Sequence, residues 1–192
     1  MTDRSGWTHS DIGPTTGRSS FAQGVCYLSA GSPGDLLGDR DALSFVHRPC
    51  AGDCRIQLRV PGIVNAAPVT ALAGIMIRES LAEDAAHVAC LVVIKGSSPK
   101  LRFRIRSRTG GDNVNLQAIS GIVLPRWIRL ERSADSFAAS HSADGIEFTP
   151  FSTGAITLKL PADALIGMVL SQENAASGNV VQAALDGIAI EP

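Results

Sequence analysis

Residues 100–108, Lys100-Leu-Arg-Phe-Arg-Ile-Arg-Ser-Arg108 (KLRFRIRSR), alternate a cation with an uncharged residue from end to end. A helix would spread these cations around its circumference, because its faces repeat every three to four residues. A strand places every second side chain on one face, about 6.6 Å apart. Read as a strand, the segment sends Leu101, Phe103 and Ile105 into a core. Lys100, Arg102, Arg104, Arg106 and Arg108 then line the opposite face. Period two decides the fold class here.

The same period extends outward in both directions. In RIQLRV, Ile56, Leu58 and Val60 share one face while Arg55, Gln57 and Arg59 share the other. In WIRLER, Ile128 and Leu130 oppose Arg129 and Glu131. AHVACLVVI (86–94) is apolar on both faces and reads as a central strand covered on both sides. Turn-forming residues punctuate such runs at roughly 8–12-residue intervals, the pattern of an all-β sandwich. Strands are expected near 20–29, 42–49, 54–64, 71–79, 86–95, 100–108, 114–123, 127–133, 136–141, 146–151, 155–159, 164–171 and 180–190. ESLAEDAAH (79–87) is the one helix-like stretch and is short enough to be a loop or single turn. NAAPVTA (65–71), GGDN (110–113) and ENAASGN (173–179) read as loops rather than linkers. One domain over residues 1–192 follows, with 1–10 as a loosely ordered lead-in.

Composition narrows the function classes. The 192 residues are 45% hydrophobic and 18% charged, with a formal net charge of -1. That is the balance of an ordinary water-soluble domain. With a pI near 6.4, nucleic acid is not an expected partner. No apolar run approaches the roughly 20 residues of a membrane span. MTDRSGWTHSDIG has no apolar stretch that would make it a secretory signal. The chain is expected either to stay in the cytoplasm or to be exported under a signal outside this sequence. Cys50 and Cys54 bracket a hairpin tip, Ala51-Gly52-Asp53, and are either bridged or free thiols. Cys90 belongs to a core run, and no second cysteine pair completes a zinc site.

Several segments in order resemble one family. They are WTHSDIG (7–13), GDLLGDRDALSFV (34–46), GDCRIQLRV (52–60), AGIMIRESL (73–81), RIRSRTGG (104–111), RWIRLERSADSFAASHSADGIEF (126–148) and ALDGIAI (184–190). Together they resemble the concanavalin A-like, laminin-G-like β-sandwich modules of the DUF1349 type, related to beta-xylosidase C-terminal domains. Such modules are often attached to secreted bacterial glycoside hydrolases. The resemblance implies an antiparallel two-sheet jelly roll and a non-catalytic role in carbohydrate recognition. In these modules the segment matching GDLLGDRDALSF shapes the entry to a long strand. Jelly-roll modules of this kind often hold a structural calcium between the first strands and an Asp in the last. Asp11 and Asp186 are the candidates for such a site.

Asp35, Asp39 and Asp41 therefore read first as turn formers, since Asp bonds its own downstream backbone and Gly supplies positive φ. Their spacing does not fit an EF-hand loop, and no aromatic escorts them as a glycosidase pair would require. The sequence has no nucleophile elbow, P-loop, H-E-x-x-H or G-x-G-x-x-G, and its histidines His9, His47, His87 and His141 stand singly. We expect no enzyme, although a polysaccharide hydrolase or lyase stays in view because this fold hosts both.

Arg78 and Glu79 end an apolar strand, where they either pair to fix loops or meet a ligand. The cations of 100–108 need counter-charges, from Glu131, Glu79 and Asp112 or from an anion that Arg can grip bidentately. The ligand-binding candidates are thus Arg78, Arg102, Arg104, Arg106 and Arg108, on a concave sheet that binds carbohydrate, including acidic glycan. The alternative partner is another protein, through a sheet face or edge. Neutral-sugar binding is weakened by an aromatic content of 5%. Where the family carries Trp, this chain has Leu37 and Phe148. Trp127 is expected to be packed, and Trp7 is the aromatic open to display.

Overall fold

The computed structural model describes residues 6–36, 38–66, 69–173 and 178–192, and among these there is no helix. In chain order the strands begin with β1 (Thr8–Ile12), β2 (Gly17–Ala22), β3 (Val25–Gly31), β4 (Leu43–Pro49) and β5 (Cys54–Val60). β6 (Ile63–Val64), β7 (Thr70–Arg78), β8 (His87–Lys95), β9 (Ser98–Arg106) and β10 (Val114–Ile119) follow. The series ends with β11 (Arg126–Ser133), β12 (Ser136–Ser142), β13 (Thr149–Pro150), β14 (Ile156–Thr157), β15 (Leu165–Glu173) and β16 (Val180–Glu191).

Two antiparallel sheets result. One has seven strands in the order β1-β4-β15-β7-β8-β9-β10. The other has nine, with β13-β12-β11-β5-β16-β3-β2 as its path, β14 beside β12 and β6 beside β16. Their facing sides form the main core. Ile56, Leu58, Ile128 and Leu130 from the nine-stranded sheet meet Ile75, Val88, Cys90 and Phe103 from the seven-stranded one. A second apolar cluster lies on the far face of the seven-stranded sheet. There Phe45, Leu72, Met76, Leu91 and Val169 are covered by Leu36, from the segment before β4. Burial on both faces explains why AHVACLVVI carries no alternation, as expected from its sequence.

The structure departs from the expected strands where the local signals were weak. Residues 20–29 are not one strand but the hairpin of β2 and β3. Gln23 and Gly24 turn it with φ of 50° and 81°, the two positive values of a type I′ turn. Gln-Gly lacks the Asn-Gly or Asp-Gly signature, so the turn is hidden in the sequence. Of the lead-in expected over 1–10, residues 1–5 lie outside the described residues, and Thr8–Ser10 belong to β1, which pairs from Thr8↔His47 to Ile12↔Leu43 at the edge of the seven-stranded sheet. Residues 79–86 form a loop with turns. Cys50 and Cys54 are bridged, with Cα atoms 6.7 Å apart, and close the β4–β5 connection. Leu37, Ala67 and Pro68, and 174–177 lie outside the described residues.

Candidate functional site

The arginine ladder occupies the face of the seven-stranded sheet that points away from the other sheet. Pairing places Arg78, His87 and Arg106 in one row across β7, β8 and β9, with Met76, Ala89 and Arg104 in the next. Arg102 aligns with Leu91 and Lys100 with Val93. The even-numbered residues of 100–106 therefore do share a face. Arg108 lies beyond β9, exposed in the following loop.

Exposure falls steeply along this face, because the segment before β4 folds across it. Asp35 and Ala42 exchange backbone hydrogen bonds of 3.0 and 2.7 Å, which shapes the segment as a turn. Asp41 points from that turn onto the row below. Its Oδ1 accepts a hydrogen bond from Arg106 at 2.8 Å, and its Oδ2 lies 3.2 Å from an Arg78 nitrogen. Both arginines and Asp41 have fully buried side chains. Arg106 also donates to the carbonyls of Gly38 (2.7 Å), Gly111 (2.9 Å), and Glu83 and Ala85 (each 3.3 Å). Arg78 donates to Ser80 and Ala82 carbonyls. One carboxylate and two guanidiniums thus tie together three loops.

His87 completes the node. Its Nε2 lies 3.2 Å from Asn113 Nδ2, and its Nδ1 lies 3.3 Å from the Ala85 carbonyl oxygen and 3.4 Å from an Arg106 nitrogen. Burial, then the charges of Arg78 and Arg106, hold this imidazole well below the usual histidine range. Burial pushes the Asp41 carboxyl up, against the pull of the same two arginines. These residues are wholly enclosed, so they are placed to hold structure rather than to meet a ligand.

The sequence candidates therefore separate. Arg78, Arg104 and Arg106 are not offered to solvent. Arg104 is 2% exposed and donates to the Asn113 carbonyl, with Glu173 3.8 Å away. Arg102 is half-buried, and Arg108 is exposed. The expected counter-charges also differ. Asp41 takes the role given to Glu79, which instead accepts from Thr109 at 2.7 Å, while Glu131 pairs with Arg55. In the sequence Asp41 reads first as a turn former, because alternation reveals a face but not what covers it.

Asp11 and Asp186 lie in different sheets with separate partners. Asp11 accepts from Ser44 at 2.8 Å and from the Gly17 amide at 3.0 Å. Asp186 makes a bidentate pair with Arg59, both contacts at 2.7 Å. Among the described residues, no group of three or more His, Cys, Asp or Glu is arranged to hold a metal.

The outward face of the nine-stranded sheet is open and mostly self-neutralised. Arg55 pairs with Glu131 at 2.8 Å and Glu191 at 2.9 Å. Arg129 donates to Gln57 at 2.8 Å and lies 3.6 Å from the Phe148 ring centre. Trp127 is half-buried on this face, its ring lying over Gly145 and Gly187, where an added Cβ would come within 2.6 and 2.2 Å of it. Trp7 is half-buried and stacked on Phe21.

Toward β2 the same face opens into a groove of about 550 Å³. Register explains its shape. Arg18, Ser29, Gln182 and Val64 form one row across β2, β3, β16 and β6; Ser20, Tyr27 and Ala184 form the next. Short Ser20, Ser29 and Ala184 make the floor. Arg18, Tyr27, Gln182 and Val64 stand above it, Tyr27 48% and Val64 60% exposed. The outward placement of Tyr27 was readable from VCYLSA, where Cys26, Leu28 and Ala30 take the inward positions. With 20–29 taken as one strand, the turn at Gln23-Gly24 hides this face assignment.

Neither a family model nor a curated protein sequence matches the chain. Solved structures do. A functionally unknown protein from Saccharomyces cerevisiae superposes with a TM-score of 0.71 at 14% identity, over 95% of this chain and 98% of that one. A xylan beta-1,4-xylosidase from Bacillus halodurans C-125 gives 0.58 at 12% identity, over 91% of this chain but 38% of the xylosidase. A legume lectin-like domain from Entamoeba histolytica gives 0.56 at 10% identity, over 97% and 89% of the two chains. These likenesses establish the fold, the concanavalin A-like sandwich expected from the sequence.

Proposed function

We propose that this chain is a non-catalytic carbohydrate-recognition module that binds through the groove on its nine-stranded sheet. The observation that carries the reading is the groove itself: an exposed tyrosine beside a floor of small residues, flanked by Arg18 and Gln182. Sugars present an apolar ring face and a rim of hydroxyls, which such a surface answers with a flat aromatic body and polar tips. Its volume falls in the range of small-molecule sites, roughly 300–1,000 Å³. The DUF1349-type resemblance supports the carbohydrate part of the reading, as does a structural neighbour named as a legume lectin-like domain. The non-catalytic part is supported by Asp41 and His87, an acid and a base in proximity but sealed from substrate.

The site is thus moved from the ladder on the seven-stranded sheet to the opposite side of the molecule. A glycan array with the intact chain tests the reading. Binding should appear to at least one oligosaccharide and weaken about tenfold or more in Tyr27→Ala. Equal binding by Tyr27→Ala, with loss in Arg102→Gln, would return the site to the ladder. A protein partner is the second reading, favoured by Val64 and Val180 exposed around Tyr27 on the same face. A blank array with concentration-dependent mass in light scattering would favour it.

A further inference from the structure

We infer that the sugar taken by this groove is a carboxylate-bearing one, an oligouronate held by Arg18 over the Tyr27 ring. The inference rests on the carbohydrate reading above and adds the charge of the ligand. Among the described residues, the outward-facing arginines of this sheet are Arg18, Arg55, Arg59 and Arg129. Three have partners: Glu131 and Glu191 for Arg55, Asp186 for Arg59, Gln57 and Phe148 for Arg129. The Arg18 side chain has no hydrogen-bond or ion-pair partner among the described residues, and the Arg18–Ser29 contact is made by the Arg18 backbone. An exposed guanidinium at the edge of a groove is free to take a carboxylate from a ligand.

The groove's own charge agrees. Neither its lining nor that of the adjoining depression, about 340 Å³, includes an acidic residue. Arg18, Ser29 and Gln182 line both, so Arg18 sits where the two depressions meet. A chain of sugars crossing from one to the other passes over it. Arg18 and Tyr27 are diagonal neighbours on adjacent strands, roughly 7–8 Å apart at the backbone. A pyranose ring stacked on Tyr27 therefore presents a ring carboxylate within reach of the Arg18 fork. Arg meets a carboxylate through two parallel N–H···O bonds, a geometry that Lys cannot copy.

The test measures binding of galacturonate, glucuronate and mannuronate tetramers, each beside its fully methyl-esterified counterpart, by calorimetry on the intact chain. Esterification keeps the ring and removes the charge. One or more acid tetramers should bind about ten- to a hundredfold more tightly than their esters, the span expected of a charge-assisted contact. Arg18→Gln should reduce the acid to the level of its ester, and Arg18→Lys should recover part of the difference. Arg102→Gln and Arg108→Gln, on the other sheet, should change neither. Acid binding should weaken as salt rises while ester binding holds.

Equal binding of acid and ester, both lost in Tyr27→Ala, overturns the uronate inference and leaves carbohydrate recognition standing. Array hits restricted to neutral glycans, with no tetramer bound, do the same. A blank array together with no binding of any tetramer removes both. Loss of acid preference in Arg102→Gln but not in Arg18→Gln overturns the placement.

Discussion

Asp41 has the most demanding environment of any single residue here. Two guanidiniums are buried with it, and taking charges out of water costs several kcal/mol per ion unless geometry and hydrogen bonds offset it. The offset is visible. Arg106 donates to one carboxylate oxygen and four carbonyls, and Arg78 faces the other oxygen with two carbonyls behind it. Asp41→Asn preserves shape but removes the one anion shown within ion-pair distance of both guanidiniums. It should destabilise the protein by about 3–5 kcal/mol, the usual cost of leaving buried charges unpaired. Urea denaturation at neutral pH measures it as a lowered midpoint with an unchanged slope. A loss under about 1 kcal/mol would mean that water or a shifted loop replaces the carboxylate, and the node would no longer explain why the segment lies down.

That segment, of which residues 32–36 and 38–42 are described, is the element that turns an open sheet into a covered one. Gly34 lies against the Gln172 backbone, where a Cβ would come within 2.4 Å of its carbonyl oxygen. Leu36 inserts among Leu72, Met76 and Leu91, and its carbonyl accepts from Asn113 at 2.8 Å. Leu36→Ala should cost about 2–5 kcal/mol, the range for truncating a buried leucine. It should also raise the fluorescence of an apolar dye as the face beneath loosens. A dye signal equal to the native protein's would argue that the segment is not the cover. At this scale the sequence was informative wherever period two applied. β7, β8, β9 and β11 were placed within about two residues, because one-sided or two-sided burial writes itself into their spacing, whereas the strand expected over 54–64 is two, β5 and β6. The covering segment has no period, so its role was illegible. Its aspartates looked alike in sequence, although Asp41 differs from Asp39 entirely in what lies beneath it. The groove was hidden for a related reason, since a missed hairpin turn removes the face assignments of both strands it joins.

At the scale of the whole molecule, burial of imidazoles makes stability depend on pH. His47, His87 and His141 are all pushed down from the usual histidine range, in each case chiefly by burial. A base whose folded pKa lies below its unfolded value of about 6.5 binds fewer protons in the native state once pH falls below that value. Its contribution is therefore fully present above about pH 6.5 and is lost as pH drops toward the folded pKa. Asp41 and Glu173 act in the opposite sense, because burial raises their carboxyls. They favour the native state at low pH and withdraw that support as pH rises through their folded pKa values. The histidines are isolated between pH 7 and 5.5 by comparing slopes rather than levels. For His87, fully buried, the slope approaches one proton, about 1.4 kcal/mol per pH unit, toward the lower end of that window. Urea titrations of the native protein and His87→Gln at half-unit steps should show the variant less stable throughout but with a flatter pH dependence. Parallel curves would mean that His87 protonates as freely in the folded protein as in the unfolded one, and an imidazole enclosed by Asp41, Arg78 and Arg106 cannot do that.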